Sequence, residues 1–145
     1  MNIKFSLLDI RLKKSYFEIN TKVIEEAGEE AEFEINKKMK VAFGSDDKDK
    51  NLIKVELQVI NSDVNSPFNF DLIYEGIFRF EIPEEIKQKD EEIEKVCLIN
   101  CAAIIFPYLR EHLADLTRRS GLPPYHLPPI NFVRLYKERH KSCGG

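Results

Sequence analysis

The chain has 145 residues, 43% of them hydrophobic and 32% charged, a length and balance that fit one domain with an ordinary apolar core. Lys and Arg total 22 against 25 Asp and Glu, a net charge of −3, so nucleic acid and anionic membrane find no chain-wide attraction. Three cysteines are an odd number, with Cys97 and Cys101 four apart in a helical pattern, which fits reduced thiols rather than a disulfide framework.

Residues 1–12 alternate charged and apolar side chains and lack the apolar core of a secretory signal, so a cytoplasmic location is expected. The first extended stretch, Lys4 to Ile19, changes phase between Leu7 and Leu8, which predicts a kink or bulge there. Phe33, Ile35, Met39, Val41 and Phe43 share one side of a second strand, with Glu34, Asn36, Lys38 and Lys40 opposite and Lys37 breaking the apolar side. After the polar turn at 44–51, Ile53, Val55, Leu57 and Val59 alternate with Lys54, Glu56 and Gln58. The longest alternation, Phe68 to Ile82, contains Gly76, where a bulge or bend is expected. Four strands with short connections predict an antiparallel sheet, over about 3–82, with one wet face.

At Pro83 the period changes to helical. A proline and two carboxylates (Glu84, Glu85) suit a helix start, and the pattern runs to the stop at Ser120-Gly121, a long helix over about 84–120. Pro107 lies inside it and is expected to bend it. Its most apolar run, Cys101 to Phe106 and on to Leu109, is far short of the ~20 residues that span a bilayer. Val96, Ile99, Ala103, Phe106, Leu109, Leu113 and Leu116 recur every three or four residues, and Ala102, Ile104 and Ile105 widen the stripe. One reading is a core helix; the other is that a second copy of the chain covers part of the stripe, with Ile99, Ala103, Phe106, Leu109 and Leu113 at that interface.

Next comes a stiff connection at 121–130, G-L-P-P-Y-H-L-P-P-I, which holds four of the chain's seven prolines. Asn131 then suits the cap of a short helix over about 132–140, with Phe132, Leu135 and Tyr136 as its apolar side. The fold class is α+β: a four-stranded antiparallel sheet on a long helix, plus a short C-terminal helix, in a single domain.

Chemistry is sparse. His112 and Asp115 share a helical face, but no serine or cysteine stands in a nucleophile context. Cys97 and Cys101 match no zinc spacing and read as small core residues, Cys143 lies in a basic tail, and His126 reads as a loop histidine. There is no G-x-G-x-x-G, Walker A loop, HExxH or G-x-S-x-G. A binding protein without a metal or cofactor is expected, not an enzyme.

The order E-G-I-F (Glu75 to Phe78), C-A-A-I-I-F-P-Y-L-R-E (Cys101 to Glu111) and G-L-P-P-Y-H-L-P-P-I-N-F (Gly121 to Phe132) resembles SecB, the bacterial protein-export chaperone family. The resemblance is strong over about 74–136; the first three strands match in pattern, length and order. It implies a dimer of dimers, without ATPase activity, that holds unfolded precursors and passes them to the translocase motor SecA. It implies a client groove lined by Val23 and Ile24 with Phe33 at the edge, and by Leu122, Tyr125 and Leu127. It further implies an acidic SecA contact on the exposed sheet face, matched by Glu18 and Asp71. Lys14 stands where another acid is expected and Asn69 replaces an apolar neighbour, departures that bear on SecA delivery. SecB-like chaperones dedicated to one aggregation-prone antitoxin supply the alternative: a chaperone or scaffold with a single partner.

Overall fold

The computed structural model describes the backbone of residues 3–28, 32–83 and 90–143; the expected helix start at 84–89 lies outside the described residues. The chain runs β1 (Lys4–Ile19), α1 (Thr21–Ala27), β2 (Lys38–Ser45), β3 (Leu52–Asn61) and β4 (Phe68–Glu81). It continues through α2 (Asp90–Lys95), a π-helical segment (Val96–Cys101), α3 (Ala102–Arg119) and α4 (Phe132–Cys143). The strands form one antiparallel sheet in the order β1-β4-β3-β2.

Alternation decides which face is dry. Val55, Leu57 and Val59 on β3 and Phe70, Leu72, Phe78 and Phe80 on β4 are all buried. Their odd-and-even partners Lys54, Glu56, Asp71 and Arg79 turn to the other face, as a period of two requires. The long helix covers the dry face, burying Ala102, Ile105, Phe106, Leu109, Leu113, Ala114 and Thr117. It therefore spends most of its wide apolar stripe on its own sheet. Leu109 and Leu113 are fully buried and Phe106 is 8% exposed, so these three are not available to a second copy. Ala103 is exposed and Ile99 half-buried.

The expected phase change in β1 is a bulge, and a second one follows. Register shifts lie between Leu7 and Asp9 and between Leu12 and Lys14. The second was hidden because Lys13-Lys14 presents no apolar residue to betray a change of phase. Gly76 bears no bulge: it pairs in register with Ile10 on one side and Val55 on the other. A glycine stands there because the ring of Phe78, on the same strand, lies over it, with Ile105 of the helix beside it. A Cβ would sit 2.6 Å from Phe78 Cε2 and 3.1 Å from Ile105 Cδ1, distances no methyl group tolerates without displacement.

Other departures have local causes. β2 begins at Lys38 rather than Phe33, just past Lys37, which had broken the apolar side. The segment after β1 forms helix α1, capped by the Asn20 side chain accepting from Val23 N at 3.3 Å. α3 continues through Pro107, and a π-helical segment lies upstream of it. The stop is as expected: Gly121 takes φ 83°, with Leu122 N–H on Thr117 O and Gly121 N–H on Arg118 O, both at 3.1 Å, a Schellman ending that uses glycine's freedom at positive φ. Asn131 caps α4, its Oδ1 accepting from Arg134 N at 3.0 Å, and the helix runs three residues past the expected end, to Cys143.

The Pro-rich connection folds back along α3 instead of crossing open space. Tyr125 N–H donates to Thr117 Oγ1 at 2.8 Å, and Arg110 Nε donates to Leu127 O, also at 2.8 Å. Phe132 then meets Phe106 edge-on at 5.8 Å. Prolines lose little entropy on being held so, and the strap braces the core.

Candidate binding groove

β2 is an edge strand: among the described residues it pairs with β3 alone. Along an antiparallel edge, residues alternate between turning both backbone groups to the partner and turning both outward. Asp46 N–H donates to Leu52 O at 2.9 Å, continuing the β2–β3 ladder. Counting back by twos, Gly44, Ala42 and Lys40 face β3, while Phe43, Val41 and Met39 turn their N–H and C=O outward. Arg139, on α4, uses one of these groups: its Nη1 donates to Val41 O at 3.3 Å.

Between this edge and α4 lies a cavity of about 590 Å³, lined by Met39, Val41, Leu98, Phe132, Leu135 and Tyr136, with Arg139 at its rim. α4 is positioned by its first residue, since Phe132 is buried against Phe106; Leu135 and Tyr136 follow at helical spacing and turn to the same side. Leu135 remains 40% exposed, an apolar side chain open to whatever enters. A concave, mostly apolar site of this size is of the kind that takes apolar ligands and peptide side chains. Sequence reasoning found both halves, the apolar sides of β2 and of the short helix, without seeing that they face each other.

The residues expected to line a groove are placed differently. Val23 and Ile24 sit half-buried on α1, Phe33 is exposed in the stretch before β2, and Leu122 and Tyr125 are half-buried on the strap. Tyr125 packs on Phe68 with ring centres 5.6 Å apart, and burial raises its phenol above the ordinary value. Leu127 is fully buried, so it is a core residue and not a groove wall. Neither the cavity beside β2, nor the cleft along α3, nor the hollow at the far end of β4 brings the α1 pair together with the strap residues.

The exposed sheet face carries its own counter-ions. Three neighbouring cations of β1 cover carboxylates of β3 and β4: Arg11 holds Glu75 at 2.6 Å, Lys13 pairs with Glu56, and Lys14 reaches Asp71 at 2.5 Å. The second bulge makes this possible, because it puts Lys13 and Lys14 on the same side of the strand. Glu75 has a side chain only 6% exposed; burial pushes its carboxyl up, but Arg11 and Lys13 outweigh that and hold it below the usual range. Of the two expected SecA contacts, Asp71 is thus already engaged, and Glu18 accepts from the Tyr16 hydroxyl at 2.8 Å.

A second, more polar cleft of about 960 Å³ lies between the outer side of α3 and the strap, lined among others by Tyr74, Tyr108, Glu111, His112, Pro124 and His126. His112 Nε2 lies 2.9 Å from Ser15 Oγ and its ring meets Tyr74 edge-on at 5.9 Å. Burial lowers its pKa, against the pull of Asp115. The Asp115 carboxylate is taken by Arg118 and by Arg119, the latter at 2.8 Å, so His112 and Asp115 do not form a dyad. Cys97 and Cys101 are buried free thiols, and their mutual hydrogen bond, with burial, raises the Cys101 thiol far above its ordinary value. Cys143 has its side chain outside the described residues. Among the described residues no group of three or more His, Cys, Asp or Glu is placed to hold a metal, and no helix is long and apolar enough to cross a membrane.

A family model described as preprotein translocase subunit SecB matches residues 2–142. The chain is 43% identical over 72 residues to the protein-export protein SecB of Paramagnetospirillum magneticum, covering 50% of this chain and 43% of that one. It is 36% identical over 81 residues to that of Xanthobacter autotrophicus, covering 55% and 48%; the match thus spans less than half of either relative's own length. In fold it is similar to a SecB-like chaperone of Mycobacterium tuberculosis, solved in complex with a peptide from an antitoxin, with a TM-score of 0.70, 20% identity and coverage of 87% and 90%. A Streptococcus agalactiae protein of unknown function follows at a TM-score of 0.54 and 12% identity, with coverage of 89% and 100%.

Proposed function

Given that the chain belongs to the SecB family, we propose that it is an ATP-independent holdase that binds unfolded precursor proteins in the cytoplasm and keeps them extended and competent for export. The observation that carries this reading is the apolar cavity of about 590 Å³ alongside the outward-turned edge of β2. An unfolded segment offers what that site lacks: backbone groups for the edge and apolar side chains for the cavity. Each apolar Å² removed from water contributes roughly 25 cal/mol, and main-chain pairing tolerates many sequences. Holding by this means involves no catalytic step. Assembly as a dimer of dimers supplies several grooves to one client and so adds avidity. Its contacts are proposed on the outer side of the long helix, at Ala103 and Ile99, which the chain's own core leaves exposed or half-buried.

The test is aggregation of a chemically denatured, unrelated protein diluted into buffer without nucleotide. A several-fold excess of the chain slows aggregation; no effect at that excess sinks the proposal.

A second reading is favoured by one observation. A chaperone delivering to SecA through acidic residues needs them free, and Asp71 is bound by Lys14 at 2.5 Å and by Gln58 at 2.8 Å. A chaperone dedicated to a single partner has no such need. Co-purification separates the two: SecA and many precursors support export, and one stoichiometric partner supports the dedicated chaperone.

A further inference from the structure

We propose that Arg139 is a built-in competitor for the β2 edge, so that an extended apolar segment of a client pairs with β2 only by displacing its guanidinium from Val41 O. This rests on the groove proposed above and deepens it by naming what sets its selectivity.

Three residues of β2, Met39, Val41 and Phe43, turn their backbone groups outward, and Arg139 holds the carbonyl of the central one at 3.3 Å. An added antiparallel strand in register with the edge needs both the N–H and the C=O of Val41. The guanidinium and the strand therefore claim the same acceptor and exclude each other. The groove's walls, Met39 and Val41 on the strand and Leu135 and Tyr136 on the helix, are unaffected by which of them wins. The occupant that fits is an extended segment with alternate apolar side chains, since a helical peptide satisfies its own backbone and has nothing to offer the edge. A segment that makes only apolar contacts cannot replace the hydrogen bond it breaks. Arg139 thus raises the threshold for weakly complementary segments and rejects helical surfaces, whose backbone groups are already paired.

The experiment measures binding of a fluorescein-labelled peptide of about eight residues alternating Val and Thr by anisotropy, alongside holding of a reduced, carboxymethylated, permanently unfolded protein. Arg139→Ala removes the competitor and tightens peptide binding about three- to tenfold, mainly by speeding association, because the free edge no longer has to be vacated first. Arg139→Lys keeps a donor in reach and stays near wild type. Val41→Pro deletes the outward N–H without touching the β3 ladder, and weakens the peptide in either background. The melting midpoint of Arg139→Ala stays at that of wild type, because the side chain is exposed. Unchanged or weaker peptide binding in Arg139→Ala, with the unfolded protein still held, overturns the role of Arg139 and leaves the groove standing. Indifference to Val41→Pro overturns strand pairing itself. Failure to hold either probe removes the groove and this inference together.

Discussion

Lys14 Nζ lies 2.5 Å from Asp71 Oδ2, across the second bulge of β1, and Gln58 donates to the other carboxylate oxygen at 2.8 Å. Partial burial pushes the Asp71 carboxyl up, yet the two hydrogen bonds outweigh it and hold Asp71 below the usual carboxylate range. With the folded value below the unfolded one of about 3.9, this carboxylate contributes stability above that pH and loses it as pH falls through the folded value. Lys14→Met removes the ion pair and leaves the burial. The Asp71 side-chain carboxyl, followed by NMR, then titrates at higher pH than in wild type; an unmoved midpoint means the pair does not form in solution.

Arg11→Ala strips the nearly buried Glu75 of both guanidinium hydrogen bonds, at 2.8 and 2.6 Å. The expected loss in urea unfolding at neutral pH is about 1–3 kcal/mol, the cost of leaving a buried acceptor short of donors. Glu75 is also held below its ordinary range, so the interaction is fully present above the unfolded value of about 4.3 and fades as pH falls through the folded one. The gap between variant and wild type closes in acid. A gap that persists there points to lost packing of the arginine stem instead.

Gly76→Ala drives a methyl group into Phe78 and Ile105, both fully buried. The core is close-packed, so the expected cost is about 1–3 kcal/mol in thermal or urea unfolding. Were Gly76 needed for a bulge, the change would alter strand register; amide NMR contacts from Gly76 to Val55 and Ile10 are expected to persist in the variant.

Two leucines separate folding from holding. Leu127→Ala opens a cavity in the core and costs about 2–5 kcal/mol, without changing the affinity of whatever fraction remains folded. Leu135→Ser, at a side chain 40% exposed in the groove, leaves stability nearly unchanged and weakens client holding. The reverse pattern, with holding lost in the first and kept in the second, would place the groove on the strap after all.

Ala103→Glu tests assembly. Ala103 is exposed on the outer side of α3, where a charge is harmless to a monomer and costly between packed helices. Light scattering of the variant is expected to show a smaller particle than wild type; equal masses place the interface elsewhere.

The strands and helices were legible because each obeys one period over many residues: β3 alternates without a fault from Ile53 to Val59, and α3 keeps its stripe from Ala102 to Thr117. Helix α1 was not, since its seven residues carry only Val23 and Ile24 as apolar pattern. The strap's composition was plain, but whether Leu127 points to solvent or core depends on the path the strap takes, which Thr117 and Arg110 fix from a distance in sequence. The same holds for the groove. Period tells which side of β2 and of α4 is apolar; their juxtaposition comes from Phe132 meeting Phe106, a long-range contact that no local pattern encodes.

β1 uses 16 residues to run beside the 14 of β4. Leu8 and Lys13 are the surplus pair, each standing where β4 supplies no partner. Losing a residue from the middle of the strand away from the bulges turns everything on one side of the gap inside out. Losing one leucine of Leu7-Leu8, or one lysine of Lys13-Lys14, straightens a kink and leaves Phe5, Ile10 and Phe17 facing as before, the second with the loss of one of the ion pairs to Glu56 and Asp71. At each of these two doublets a gene can shed one codon and still encode the same strand.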